Sequence, residues 1–129
     1  MVTKNFLDRI MGNVFGTKAS PALPTKYFLG LSQSTPDADG NGVTEPTGGG
    51  YTRMELTTLS APNTGVVDNM ESIMYPVCTA DWGTLTHYVL YDENGTVLLA
   101  NKMEKPRIVQ EETQFYFKPH ALKFSLIGD

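Results

Sequence analysis

The sequence predicts an all-β protein, an antiparallel β-sandwich of jelly-roll-like type with about seven or eight strands, preceded by one N-terminal amphipathic helix. From residue 26 onward, short segments rich in β-branched and aromatic residues alternate with turn signals. No helical pattern lies between them, which argues against the alternating strands and helices of a parallel sheet. The first 16 residues differ, because Phe6, Leu7, Ile10, Met11, Val14 and Phe15 recur there at helical spacing.

Thr3 or Asn5 can cap the start of the helix by accepting from free backbone N–H groups, and Gly16 can end it in the left-handed conformation. The ordinary fate of such an apolar stripe is to pack on the protein's own sheet. The alternative is an arm that docks on a neighbouring subunit through these same six residues. A membrane surface fits less well, because the polar face carries little positive charge. Two prolines in "TKASPALPT", residues 17–25, disfavour helix and central strand and mark a connector.

The segments "KYFLGLSQ", "YTRMELTT", "ESIMYPVC", "THYVLYD", "TVLLANKM", "TQFYFKP" and "ALKFSLI" read as strands. Phe115 and Phe117 alternate with Gln114, Tyr116 and Lys118, while Leu122, Phe124 and Leu126 share a face, so these two strands have one wet side. "LTHYVLY" is apolar in both registers, with Leu85, His87, Val89 and Tyr91 on one and Tyr88 and Leu90 on the other. It reads as a central, covered strand. Asn94 and Gly95 connect it to the next strand as a hairpin, and the turns "QEET" and "KPHA" make the last third of the chain a meander. Residues 33–50, rich in Gly, Pro, Asp and Thr, form a long loop of the kind that is usually functional or disordered.

A length of 129 residues with 40% hydrophobic content supports one core. The expectation is a single domain, 1–129, made of a helical arm 1–16, the connector 17–25 and a sandwich 26–129 with the loop 33–50. A net charge of -4 with scattered cations gives no footprint for nucleic acid. The lone Cys78 excludes an intramolecular disulfide, which suits synthesis in a reducing cytoplasm. The N-terminus lacks a signal-peptide pattern and no apolar run reaches the roughly 18–20 residues of a bilayer span, so a soluble chain with no membrane partner is expected.

Chemistry has few footholds. Asp37, Asp39, Asn41 and Gly42 follow the D-x-D-x-N-G spacing of a calcium loop, but Gly48 stands where the bidentate glutamate belongs and Glu45 falls short of it. Asp, Asn and Gly also enrich any exposed turn for backbone reasons alone. A weak calcium candidate therefore competes with a solvated loop. Asp81, His87 and Asp92 lie close in sequence, and Ser72, Cys78 or Thr79 offers a nucleophile, yet none sits in an elbow such as G-x-S-x-G. His87 reads as a hydrogen-bonded core histidine, and no catalytic residue is assigned. One Cys and two His exclude a structural zinc site of ordinary spacing, and no glycine-rich phosphate loop joins a strand to a helix. No cofactor is expected. Tyr27, Tyr51, Tyr75, Tyr91 and Tyr116 could form a sugar platform, although tyrosines in strands are more often packed.

Two stretches carry a resemblance. "GGGYTRMEL", with Gly49 and Gly50 ahead of Tyr51 and Arg53, is followed some 25 residues later by "TADWGTLTHYVLYDENGTVLLANKM". The second supplies Ala80, Trp82, Gly83, Leu85, Thr86, His87, Leu90, Tyr91 and Asp92 to an A-x-W-G-x-[IVL]-T-H-x-x-[IVL]-[FY]-D pattern, and Leu29 and Leu31 supply an earlier L-x-L. Together they resemble a family of small phage and prophage virion proteins labelled tail fibre or minor tail proteins. The resemblance implies a β-rich, non-enzymatic, oligomeric part of a virion without a cofactor, made in the bacterial host cytoplasm. Its partners would be other virion proteins, with a host-surface glycan as a further one. Tyr51, Arg53, Asp81, Trp82, Gly83 and His87 are its structural signature. The alternatives are a capsid decoration or cement protein, and a calcium-assisted carbohydrate-binding module using Asp37, Asp39 and Asn41.

Overall fold

The computed structural model describes residues 1–16 and 21–126. Residues 17–20 of the expected connector and 127–129 at the end of the expected sandwich lie outside them. Thr3 Oγ1 accepts the Phe6 N–H at 3.3 Å and opens α1, Lys4–Phe15. Gly16, at φ 63°, ends it, its N–H returning to Gly12 O.

Eight strands follow among the described residues: β1 Phe28–Ser32, β2 Met54–Glu55, β3 Val67–Asp68, β4 Ile73–Met74, β5 Gly83–Tyr91, β6 Val97–Val109, β7 Tyr116–Phe117 and β8 Lys123–Phe124. Four form one sheet, β2-β1-β5-β6, and the others pair as β3-β8 and β4-β7, all antiparallel. The fold is β-sandwich-like and all-β, with one N-terminal helix. β5 lies between β1 and β6, as a strand apolar on both faces should. At its end Gly95 takes φ 81° while Asn94 stays at negative φ, so the hairpin closes through a longer turn and a register shift at Tyr91.

The meander expected of the last third does not form. β7 and β8 leave β6 and pair with the segment carrying β4 and β3, in registers Ile73↔Phe117 and Val67↔Phe124. The two pairs are one antiparallel ribbon interrupted in its middle, where the side chain of the fully buried Asn69 bridges the gap beside a 2.7 Å bond from His120 N–H to Asn69 O. Its Nδ2 donates to Glu71 O and Lys118 O, and its Oδ1 accepts Leu122 N–H, each at 2.9 Å. The ribbon packs over the sheet: Tyr88 of β5 meets Phe117 and Phe124 edge-on at 5.9 and 6.1 Å. Leu29, Leu31, Leu85 and Leu122 join the same core and are fully shielded from water.

One strand face is also corrected. Leu85 was expected beside His87 and Val89, but a register irregularity between Leu85 and His87 interrupts the alternation. Leu85 turns into the main core with Tyr88 and Leu90, while Val89 and Tyr91 join Ala100 in a smaller cluster. The free edge of β6 is managed in two ways. Residues 1–3 lie along its start, with Ala100 N–H donating to Met1 O at 2.8 Å and Thr3 N–H to Leu98 O at 3.0 Å. Further on, the exposed Glu104, Lys105, Pro106 and Arg107 discourage pairing with another strand.

Asn69→Ala should leave Leu122 N–H and two carbonyls without partners and lower stability by about 3 kcal/mol in urea unfolding. A loss within about 0.5 kcal/mol would show that the ribbon does not depend on that amide.

Candidate functional site

The suggestive trio near Trp82 does not assemble. Asp81 Oδ1 caps a turn by accepting Glu111 N–H at 2.7 Å. His87 Nδ1 lies 2.8 Å from Thr86 Oγ1, and burial, Lys102 and the N-terminal ammonium all press its pKa below the ordinary value. Asp92, just past β5, accepts from Asn94 and Thr96 N–H through Oδ1 and from Arg9 Nη1 through Oδ2, each at 2.9 Å. The three residues thus serve three separate tasks. Cys78 is buried, with Sγ against Gln110 O, and Ser72 and Thr79 are exposed. Among the described residues no three His, Cys, Asp or Glu side chains gather as a metal site.

The two signature stretches do meet. Gly49 O accepts both the Trp82 indole N–H and the Thr79 backbone N–H at 2.9 Å. Gly49 stands at φ 62°, where a Cβ would come within 2.9 Å of Ala80 O, so only glycine fits. The Trp82 ring is buried, meeting Tyr51 edge-on at 5.4 Å and Tyr75 at 6.1 Å. Gly83, at φ 81°, then turns the chain into β5.

Tyr51 carries the contact onward. Its hydroxyl oxygen accepts Leu31 N–H at 2.9 Å and its proton goes to Glu45 Oε2 at 2.5 Å. Arg53 grips the same carboxylate with Nε and Nη2, at 3.1 and 2.7 Å, and its guanidinium lies 3.6 Å over the Tyr91 ring. Burial raises the Glu45 pKa, but the hydrogen bonds from Arg53 and Tyr51 outweigh it and hold the group below its ordinary value. Burial and the neighbouring carboxylate push the Tyr51 hydroxyl up. Gly30 admits this knot, since a Cβ there would meet Tyr91 at 2.7 Å. The arrangement has acids, rings and a guanidinium but no free nucleophile, and it binds the end of the loop 33–50 to the sheet. Glu45 and Gly30 were missed by sequence reasoning, because nothing local distinguishes them.

Of the calcium candidates, Asp37 is engaged by the loop itself. Asp37 Oδ1 accepts the N–H groups of Asp39 and Asn41 at 2.9 Å, and Asp39 lies 3.7 Å from Lys4 Nζ. That is turn chemistry, the alternative that Asp and Asn bring to exposed loops. Of the proposed sugar-platform tyrosines, Tyr75 and Tyr91 are buried, Tyr27 and Tyr51 half-buried, and Tyr116 exposed.

The helix divides its stripe. Phe6 is buried in the core and Ile10 packs against it, whereas Leu7, Met11, Val14 and Phe15 are 37–65% exposed. Arg9, also buried, fixes which face looks inward, through its ion pair with Asp92 and a 2.6 Å bond from Nη2 to Ala22 O. Burial works against the Asp92 charge, but Thr96, Arg9 and Asn94 together lower its pKa. No helix among the described residues is long and apolar enough to cross a membrane. A model of the family described as Podophage GP4 fiber I protein gp80 matches residues 3–125. No curated protein matches the chain.

Trp82→Ala should cost about 3 kcal/mol or more, as loss of a large buried aromatic does. A change within about 0.5 kcal/mol would mark it as a surface residue. Because Glu45 and Asp92 have folded pKa values below the ordinary 4.5 and 3.8, their contribution is present above those values and is lost as pH falls through the folded ones. The urea midpoint should therefore slip slightly as pH falls through about 6.5, where the lowered His87 pKa lets the unfolded chain take up a proton first, and fall further below about 4.5, the second fall being less steep in Glu45→Gln. A midpoint that rises on acidification contradicts this.

Proposed function

The chain belongs to the podophage GP4 fiber I protein gp80 family, and from that membership we propose that it is a non-enzymatic tail-fibre component, built into the particle through the outer face of α1. Members of such a family are virion structural proteins, and a virion part acts through its surfaces. The observation that carries this reading is the row Leu7, Met11, Val14 and Phe15, left open on a helix whose orientation is locked from below. Four large apolar side chains on adjacent turns form one patch, and contiguous exposed apolar patches mark interaction sites. The same face serves contact with other virion proteins and with further copies of the chain.

The polar interior supports the non-enzymatic half of the reading. Asp81 and Asp92 cap separate turns and His87 Nδ1 faces Thr86 Oγ1, so the three do not converge on one reacting centre. Synthesis in the host cytoplasm fits the single reduced thiol of Cys78.

Light scattering on a sizing column tests the assembly. At about 100 μM the wild-type chain should run as an oligomer, and the triple variant Leu7→Ser, Met11→Ser, Phe15→Ser as a monomer melting within about 2 °C of it, because exposed sites contribute little to folding. A wild-type monomer at that concentration, or an oligomer that survives the triple change, would remove the helix face from the account.

A further inference from the structure

β6 departs from its ladder at one place. Leu85 pairs with Arg107 and His87 with Lys102, so residues 103–106 all lie opposite Thr86. Bulges of this kind bend a strand and re-aim its side chains. Here the inserted chain brings Lys105 and Arg107 to the wall of a cleft of about 480 Å³ floored by Met103 and Phe117. A second hollow of about 250 Å³ shares Arg107, Phe117 and Ala121 with the first and adds Tyr116 and Lys118.

The chemistry around this double cleft is distinctive in an acidic chain. Lys105, Arg107 and Lys118 are exposed, and among the described residues none of the three forms an ion pair. The Arg107 guanidinium rests 5.2 Å from the centre of the Phe115 ring, which steadies it. Of the six tyrosines only Tyr116 is exposed, at 40%. Glu104 places one carboxylate on the wall.

We propose that this cleft binds an acidic sugar unit, with its carboxylate on Arg107 and Lys118, its ring face on Tyr116 and a hydroxyl donating to Glu104. Charge-assisted bonds to a carboxylate are the strongest that an exposed guanidinium can make, and a ring offers a flat apolar face to a pyranose. A free phosphate uses only the cations and leaves the ring and Glu104 idle. A polyanion such as nucleic acid would also meet the net charge of -4. The cleft involves none of the α1 residues, so this inference and the fibre-assembly reading can fail separately.

The test is calorimetric titration and amide NMR on the full chain with four probes: a hyaluronan tetrasaccharide, a tetragalacturonate, the neutral chitotetraose and inorganic phosphate. At least one acidic tetrasaccharide should bind about tenfold or more tighter than chitotetraose and phosphate, shifting amides in 103–107 and 116–121 and weakening in salt. Arg107→Gln and Tyr116→Ala should each weaken it roughly fivefold or more without altering the melting temperature, and Lys26→Gln should leave it unchanged. Absence of binding to both acidic sugars, equal binding of the neutral one, equal binding of phosphate, or indifference to both cleft variants overturns the proposal.

Discussion

The carbonyl of Gly49 is the point at which the long loop, the aromatic core and the start of β5 are held together. It accepts from the Trp82 indole and from the Thr79 amide, and it can do so only because Gly49 takes a left-handed turn with no room for a side chain. That turn places Tyr51 two residues on, where its hydroxyl supplies Leu31 with a bond beyond the two residues that β2 pairs with β1. The same hydroxyl anchors Glu45, which Arg53 then closes against Tyr91. A buried polar network is costly unless its members are satisfied, and here one carboxylate receives bonds from both Tyr51 and Arg53. The loop that precedes it is therefore tied at its base although its tip around Asp37 to Gly42 is exposed.

The helix follows a similar logic with a different partner. Arg9 and Asp92 form a nearly dry ion pair, which by itself is weak ground for stability because both charges lose their water. Its value is directional. Asp92 already holds the β5–β6 turn through two backbone N–H groups, so the guanidinium that reaches it sets the rotation of α1. With Phe6 and Ile10 turned inward, Leu7, Met11, Val14 and Phe15 have only the outside to occupy.

Sequence periodicity revealed what local chemistry controls. The cap at Thr3, the stop at Gly16 and the turn at Asn94 and Gly95 are short-range devices, and each lies where the residues predict. The partners of β7 and β8 were not legible. They are two-residue strands that pair some 40 to 60 positions away, and Asn69 joins them by a side chain that no propensity describes. The face of Leu85 was misread because a register irregularity between it and His87 breaks the strict alternation on which the reading relied. The helix stripe was found whole, but its division needed Arg9, whose burial three residues after Phe6 is visible only once Asp92 is in place. Within the candidate site, Tyr51 and Trp82 stood out by their motifs, whereas Glu45 and Gly30 matter through contacts that the fold alone creates.

The central claim is that the joint at Gly49 forms and breaks with the whole protein rather than with the loop. Native-state hydrogen exchange measures this directly at three protons, the indole N–H of Trp82, the amide of Thr79 and the amide of Leu31. The account predicts that all three exchange only through global unfolding, with protection matching the unfolding free energy from urea. Exchange of these protons as fast as the amides of the exposed loop tip, while Leu90 and Leu99 stay protected, would contradict it.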